Sequence, residues 1–182
     1  MPNPDAAAIG RRPQASEGDP YAVGRPDCVL DVAGCGLDGG CGNRWFENDG
    51  SENFTTHVLS ETRCSHCVDH GDFDDDGDID LVTTDRIVGL VLWWNDGSEN
   101  FSMVVVEDQV DGPWTAFPGD VDGDGHMDIA AAFRLADQVI WYSNQGGCSF
   151  TAHVVDDDFH GAHIVTICDL DCDGDLDILT FK

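Results

Sequence analysis

The sequence predicts an all-β fold assembled from repeated four-stranded units, and three observations carry that prediction. Three segments share one acidic pattern: DFDDDGDID from Asp72 to Asp80, DVDGDGHMD from Asp120 to Asp128, and DLDCDGDLD from Asp169 to Asp177. Their first residues, 72, 120 and 169, lie 48 and 49 positions apart. A second element repeats in step: WFENDGSENFTTHV from Trp45, LWWNDGSENFSMVV from Leu92 and WYSNQGGCSFTAHV from Trp141. Helical periodicity, the third criterion, persists nowhere for longer than a turn. Two markers that keep one period of about 48 residues define a tandem repeat.

Each unit reads as four short strands. A small apolar stretch precedes the acidic loop, as in Ala162 to Cys168, and an apolar run follows it, as in Asp128-Ile129-Ala130-Ala131-Ala132. The third strand is exemplified by Gln138 to Tyr142, and the Asn-Asp-Gly at 48–50 and 95–97 predicts a type I′ hairpin turn after it. The fourth strand runs over Phe54 to Leu59, Phe101 to Val106 and Phe150 to Val155. Four short antiparallel strands per 40–50 residues is the pattern of a β-propeller blade.

Loops and hairpins are out of phase. The first hairpin belongs to a blade whose acidic loop is missing, where only Cys28 to Ala33 resembles a second strand. The last acidic loop is followed by Ile178-Leu179-Thr180. The expectation is an incomplete propeller over residues 27–182: two full blades flanked by two partial ones, closing through further chain or self-association. Residues 1–26, rich in Pro, Ala and Gly and without the apolar core of a signal peptide, are expected to be a disordered leader or the edge of a larger gene product.

Composition bounds the function. The 182 residues hold 36 Asp plus Glu against 8 Lys plus Arg, a net charge of -28, yet 41% are hydrophobic and nine are Phe, so a core is expected. No basic stripe exists to displace counterions, which argues against nucleic acid as a partner and against anionic membrane surfaces. No run is long and apolar enough to insert into a bilayer. The eight cysteines (Cys28, Cys35, Cys41, Cys64, Cys67, Cys148, Cys168 and Cys172) lean towards disulfides and an extracellular or cell-surface location. Cys64-Ser65-His66-Cys67 has the spacing of half a zinc site, but no second half accompanies it.

The acidic loops carry the chemistry. Asp at positions 1, 3, 5 and 9 with Gly at 6 is a hard-cation ligand set, because calcium takes about 6–8 oxygens and glycine permits the bend that wraps them. The expected side-chain ligands are Asp72, Asp74, Asp76 and Asp80 in the first loop, Asp120, Asp122, Asp124 and Asp128 in the second, and Asp169, Asp171, Asp173 and Asp177 in the third. Asp78, His126 and Asp175 would add their main-chain carbonyls, leaving the His126 imidazole to point outwards. An EF-hand needs Glu at position 12 and flanking helices, whereas Thr83, Ala131 and Thr180 stand there within strand-like runs. The loops therefore read as up to three calcium-clamped turns between the first and second strands. Magnesium suits them less, since it retains waters. Position 8 is apolar in each copy (Ile79, Met127, Leu176) and is expected to plug the blade core.

The D-x-D-x-D-G-x-x-D loops, the [IL]-x-x-[AT] that follows them and the W-[FY]-x-N-D-G hairpin resemble the FG-GAP/VCBS repeats of integrin-α-like propellers, over about residues 27 to 182. The resemblance implies a β-propeller with structural calcium in its A–B loops, in an extracellular adhesion or recognition protein. The chain departs from that pattern in the missing first loop, in Cys64 where the other copies have Gly112 and Gly161, and in Cys172 inside the third loop.

A non-enzymatic module that presents loops to a protein or glycan ligand is the leading expectation. The alternative is the propeller portion of a carbohydrate-active lyase or dehydratase, since similar repeats occur there. No nucleophile elbow, P-loop or dinucleotide fingerprint is present. Trp114 and His163, aligned with His66, are the candidates for a recognition surface, while Trp45/Phe46, Trp93/Trp94 and Trp141/Tyr142 read as inter-blade core. Asn53-Phe54-Thr55 and Asn100-Phe101-Ser102 are glycosylation sequons, but the third copy has Ser149-Phe150-Thr151 at the same place, so a shared turn explains them.

Overall fold

In the computed structural model the described residues are 6–8, 32–35, 42–61, 65–147 and 149–182, and they form fourteen strands and no helix. The first sheet comprises β1 (Ala6–Ala8), β2 (Val32–Cys35), β3 (Asn43–Asn48) and β4 (Phe54–Ser60). The second holds β5 (Ser65–Gly71), β6 (Asp80–Asp85), β7 (Gly89–Asn95) and β8 (Phe101–Glu107). The third holds β9 (Pro113–Gly119), β10 (Asp128–Phe133), β11 (Gln138–Asn144) and β12 (Phe150–Asp156), and the fourth pairs β13 (Ile164–Cys168) with β14 (Asp177–Phe181). Every pairing is antiparallel between strands adjacent in the chain, as blades of a propeller require. β1 lies within the segment read as a leader and pairs with β2 through Ala7 opposite Ala33.

The second strands explain why the sheets stack. All six residues of β6 and all six of β10 are buried. Successive side chains point to opposite faces, so each strand serves two neighbours. Ile129, Ala131 and Phe133 face the second sheet, where they meet Phe73, Val82, Leu90 and Leu92. Ala130 and Ala132 face the fourth, where they meet Val165 and Ile167. Leu81 and Trp93 form a third cluster with Leu59 of the first sheet packed against it. A strand buried on both faces reads as a continuous apolar run rather than an alternating one, which is why Asp128 to Phe133 contains three consecutive alanines.

The hairpin between the third and fourth strands differs from the expected type I′ turn. Its loops span five residues, 49–53, 96–100 and 145–149, and are closed by Asp49 N donating to the Asn53 carbonyl (3.1 Å), Asp96 N to Asn100 (3.1 Å) and Gln145 N to Ser149 (2.7 Å). Gly50 and Glu52 have φ of 77° and 67°, whereas Asp49 is absent from the positive-φ residues, so the two central residues of a type I′ turn are not both left-handed. The cause is side-chain competition. Asn48 Oδ1 accepts from Gly50 N (3.0 Å) and Asp49 Oδ1 from Ser51 N (2.7 Å), two successive Asx turns that widen the loop. The sequon asparagines serve the same turn: Asn53 Nδ2 donates to Asp49 Oδ2 (2.9 Å), and Asn100 Nδ2 to Asp96 Oδ2 (3.0 Å).

Candidate metal centre

Each acidic loop joins the first strand of a sheet to its second, and the three loops fold alike because they make the same local bonds. The amide of the position-6 glycine donates to the position-1 carboxylate: Gly77 to Asp72 (3.0 Å), Gly125 to Asp120 (3.0 Å) and Gly174 to Asp169 (3.1 Å). The amide at position 2 donates to the position-9 carboxylate: Phe73 to Asp80 (3.0 Å), Val121 to Asp128 (2.9 Å) and Leu170 to Asp177 (3.0 Å). The three glycines have φ between 91° and 99°. A Cβ on any of them would meet no atom within 4 Å, so glycine is required there by backbone conformation and not by space.

This folding converges three carboxylates per loop. Asp72, Asp74 and Asp80 each offer an oxygen within 4.8 Å of the others, as do Asp120, Asp122 and Asp128, and Asp169, Asp171 and Asp177. The position-5 aspartates do not join these triads. Asp76, Asp124 and Asp173 instead accept the amides of Asp78 (2.9 Å), His126 (2.9 Å) and Asp175 (3.0 Å).

The triads fit a cation on two grounds. Asp72 Oδ1 is buried without a hydrogen-bond partner, and a sealed carboxylate oxygen is costly unless something positive meets it. Burial also raises the Asp72, Asp74 and Asp128 carboxyls above the usual range, and lifts Asp80 to about 6. Fixed protein positive charge does not answer that demand among the described residues. The donor atoms are all oxygen, which suits a hard cation.

Neighbouring loops are braced against one another. His126 turns out of its own loop, and its Nδ1 lies 2.6 Å from Asp75 Oδ2 of the preceding one; Asp75 raises its pKa above the usual imidazole value. Asn144 Nδ2 donates both to the Met127 carbonyl of its own sheet (3.1 Å) and to the Phe73 carbonyl of the preceding loop (2.8 Å). Position 8 is an inter-sheet contact and not a uniform core plug. Met127 lies against Gly71, where a Cβ would come within 3.1 Å of its Cγ, and Leu176 packs beside the third and fourth sheets. Ile79 is 44% exposed, because no acidic loop of a preceding sheet lies beside it among the described residues.

The other sequence candidates divide. His66 and Trp114 stack at 4.0 Å, His163 lies 5.1 Å from Trp114, and the Arg134 guanidinium sits 5.2 Å above the same indole. These half-exposed rings form one row, with His66 on β5, Trp114 on β9 and His163 immediately before β13. Trp45, Trp93 and Tyr142 are buried, as inter-blade core should be, while Trp141 is half-buried and gives its Nε1 to Asp128 Oδ2 (3.0 Å). Cys168 and Cys172 carry free thiols, so neither forms an expected disulfide; Cys28, Cys41, Cys64 and Cys148 lie outside the described residues. Sequence reasoning missed one cluster, Glu47, His57 and Glu99, whose donor atoms also lie within 4.8 Å of one another. Its only sequence signal is Glu47 standing where the third copy has Ser143.

Antiparallel four-stranded sheets in series, with a carboxylate triad between the first and second strands, define a β-propeller repeat protein whose loops are able to hold metal. The chain matches the FG-GAP-like repeat family over residues 72–131 and 120–180, more than half its length, and belongs to that family. No curated protein matches it. No helix among the described residues is long and apolar enough to cross a membrane.

Proposed function

We propose that this chain is a calcium-binding β-propeller module for extracellular recognition of a protein or glycan, in which calcium is structural. The observation that carries the metal reading is the buried, partnerless Asp72 Oδ1 inside a triad repeated three times. Asp72, Asp74 and Asp80, with their counterparts Asp120, Asp122 and Asp128, and Asp169, Asp171 and Asp177, would hold up to three ions. Asp76, Asp124 and Asp173 and the carbonyls of Asp78, His126 and Asp175 would complete the oxygen shell. Bound calcium supplies the positive charge that clustered carboxylates otherwise lack, so it binds the fold more tightly than the unfolded chain and stabilises it. By analogy with extracellular modules, dissociation constants are expected to be on the order of 10⁻⁴–10⁻³ M.

The row of His66, Trp114 and His163 supports the recognition half of this reading. A half-exposed row of one indole and two imidazoles, with the Arg134 guanidinium over the indole, offers ring edges and hydrogen-bonding nitrogens to a sugar hydroxyl or a peptide carbonyl. Two experiments test the proposal. The melting temperature of the wild type should rise with calcium, and that rise should vanish in Asp74→Ala/Asp122→Ala/Asp171→Ala; an equal response in the triple variant refutes the assignment. Binding on a glycan array should be lost in Trp114→Ala, and an unaltered profile would remove this face from consideration.

A further inference from the structure

The geometry points to a metal site of a different kind, at the join of the first and second sheets, formed by Glu47, His57 and Glu99 and suited to a transition ion such as Zn²⁺. Glu47 lies on β3, His57 on β4 and Glu99 in the β7–β8 loop, so the site is assembled from two sheets. One donor atom from each lies within 4.8 Å of the others, and His57 Nε2 is 3.0 Å from Glu47 Oε2. Zinc bonds nitrogen and carboxylate oxygen at about 2.0–2.2 Å, so neighbouring ligand atoms in a tetrahedral shell stand somewhat more than 3 Å apart. At 3.0 Å, His57 Nε2 and Glu47 Oε2 stand a few tenths of an ångström short of that spacing, and the third ligand, Glu99, is exposed.

The donor set separates this site from the acidic loops. One imidazole nitrogen with two carboxylates suits the borderline ions, whereas calcium takes oxygen alone. The ring is held for the purpose: Trp45 stacks on His57 at 4.0 Å with planes 10° apart, and Phe101 meets Trp45 edge-on at 6.2 Å. A cleft of about 480 Å³ lined by Trp45, Thr56, His57, Glu99 and Phe101 opens beside it. Three protein ligands next to such a cleft leave a fourth position for water or an incoming donor, the arrangement of open rather than closed zinc sites.

The repeat supplies an internal control. In the third sheet Trp141 and His153 stack at 4.5 Å, but Ser143 occupies the place of Glu47, its Oγ 3.2 Å from His153 Nε2. In the second sheet Trp94 and Val104 stand at the positions of Glu47 and His57. The Trp–His scaffold therefore exists without carboxylates, and the first sheet adds them. It is also the sheet with no acidic loop in the sequence. A transition ion here would tie that sheet to the second where the other sheets are tied by their loops.

The competing explanation is a simple ion pair, with a protonated His57 between two glutamates. Titration of the tag-free chain with Co²⁺ in saturating calcium separates the two, because calcium occupies the acidic loops. One equivalent of Co²⁺ should bind with visible absorption, be displaced by Zn²⁺, and lose at least about tenfold in affinity in His57→Ala, Glu99→Gln and Glu47→Ser. Glu47→Ser reproduces the third sheet, and Glu99 is exposed, so both variants should fold. Zn²⁺ should also raise the melting temperature of the wild type and leave the three variants unmoved. Equal Co²⁺ affinity in wild type and all three variants, or no binding in calcium, overturns the proposal. Either result leaves the calcium response, measured without transition metal, untouched.

Discussion

The second and third acidic loops have almost the same sequence pattern and the same internal bonds, yet one is half sunk into the protein and the other stands in solvent. Asp128 is fully buried, whereas Asp169, Asp171 and Asp177 are all exposed. The first loop behaves like the second, with Asp80 fully buried. The difference comes from the hairpin of the same sheet. Asn95 N donates to Asp80 Oδ1 (2.9 Å) and Asn144 N to Asp128 Oδ1 (2.8 Å), while among the described residues the fourth sheet has two strands and Asp177 receives only the Leu170 amide. The ligand geometry is therefore local to nine residues, and its burial is a property of the whole sheet.

The largest effect that can break this comparison is removal of the position-9 carboxylate. Asp128→Ala leaves the Asn144 and Val121 amides and the Trp141 indole without their acceptor, and should cost about 3 kcal/mol. Asp177→Ala should cost less than about 1 kcal/mol. Urea unfolding of both variants in calcium checks this, and equal losses would show that the hairpin contributes nothing.

Next in size is Asn144→Ala, which removes two bonds to carbonyls, one of them across the join of two sheets, and should cost about 2 kcal/mol. Asn95→Ala removes a single bond to a carbonyl, that of Ile79 (3.2 Å), and should cost about half as much; each variant also loses its Oδ1 acceptor for a glycine amide, Gly97 (3.1 Å) or Gly146 (3.0 Å), so that loss cancels in the comparison. A larger loss for Asn95 would reverse the ranking.

The pH dependence is smaller and has a definite sign. Asp80 titrates at about 6 in the metal-free fold, above its value near 4 in an unfolded chain. The folded state thus holds the proton more tightly. That contribution is fully present below about pH 4, declines as the pH rises and is gone above about 6. Calcium replaces the proton as counter-charge, so its stabilisation should be greater at about pH 7.5 than at about pH 5. Melting curves with and without calcium at the two values decide it, and a larger gain at the lower pH would contradict the burial argument.

The smallest effect belongs to the His126–Asp75 brace. Because the imidazole is raised in the fold, its contribution is present below about pH 6.5 and fades as pH rises through the folded value. His126→Gln should lower the melting temperature slightly near pH 6 and leave it unchanged near pH 9; a drop that grows with pH would exclude the ion pair as its cause.

The repeat, the loops and the order of strands were legible in the sequence because each depends on neighbours within a few residues. The position-6 glycines announce a left-handed backbone wherever they occur, and Asp128 to Phe133 announces a doubly buried strand. Features set between sheets were not legible. Ile79, Met127 and Leu176 look equivalent, but each faces a different neighbour, so their burial diverges. The Asn-Asp-Gly of the hairpin has the residues of a two-residue turn, and only the Asx bonds of Asn48 and Asp49 show why it takes five. Glu47, His57 and Glu99 sit at three unrelated points of the repeat, and nothing in a linear reading joins them. The pairing of Ala6–Ala8 with Val32–Cys35 spans a stretch whose composition signals no strand.

The alternation along β10 has a consequence for how the chain can be divided. Ile129 and Phe133 belong to one hydrophobic cluster and Ala130 and Ala132 to another, so the repeat written in the sequence and the core written in space are offset by half a sheet. A cut placed neatly between two sheets would strip one face from each. Excising a single repeat should therefore yield an insoluble or unfolded fragment, and the smallest independently stable piece must contain at least two neighbouring sheets, with the outer faces of both still seeking cover.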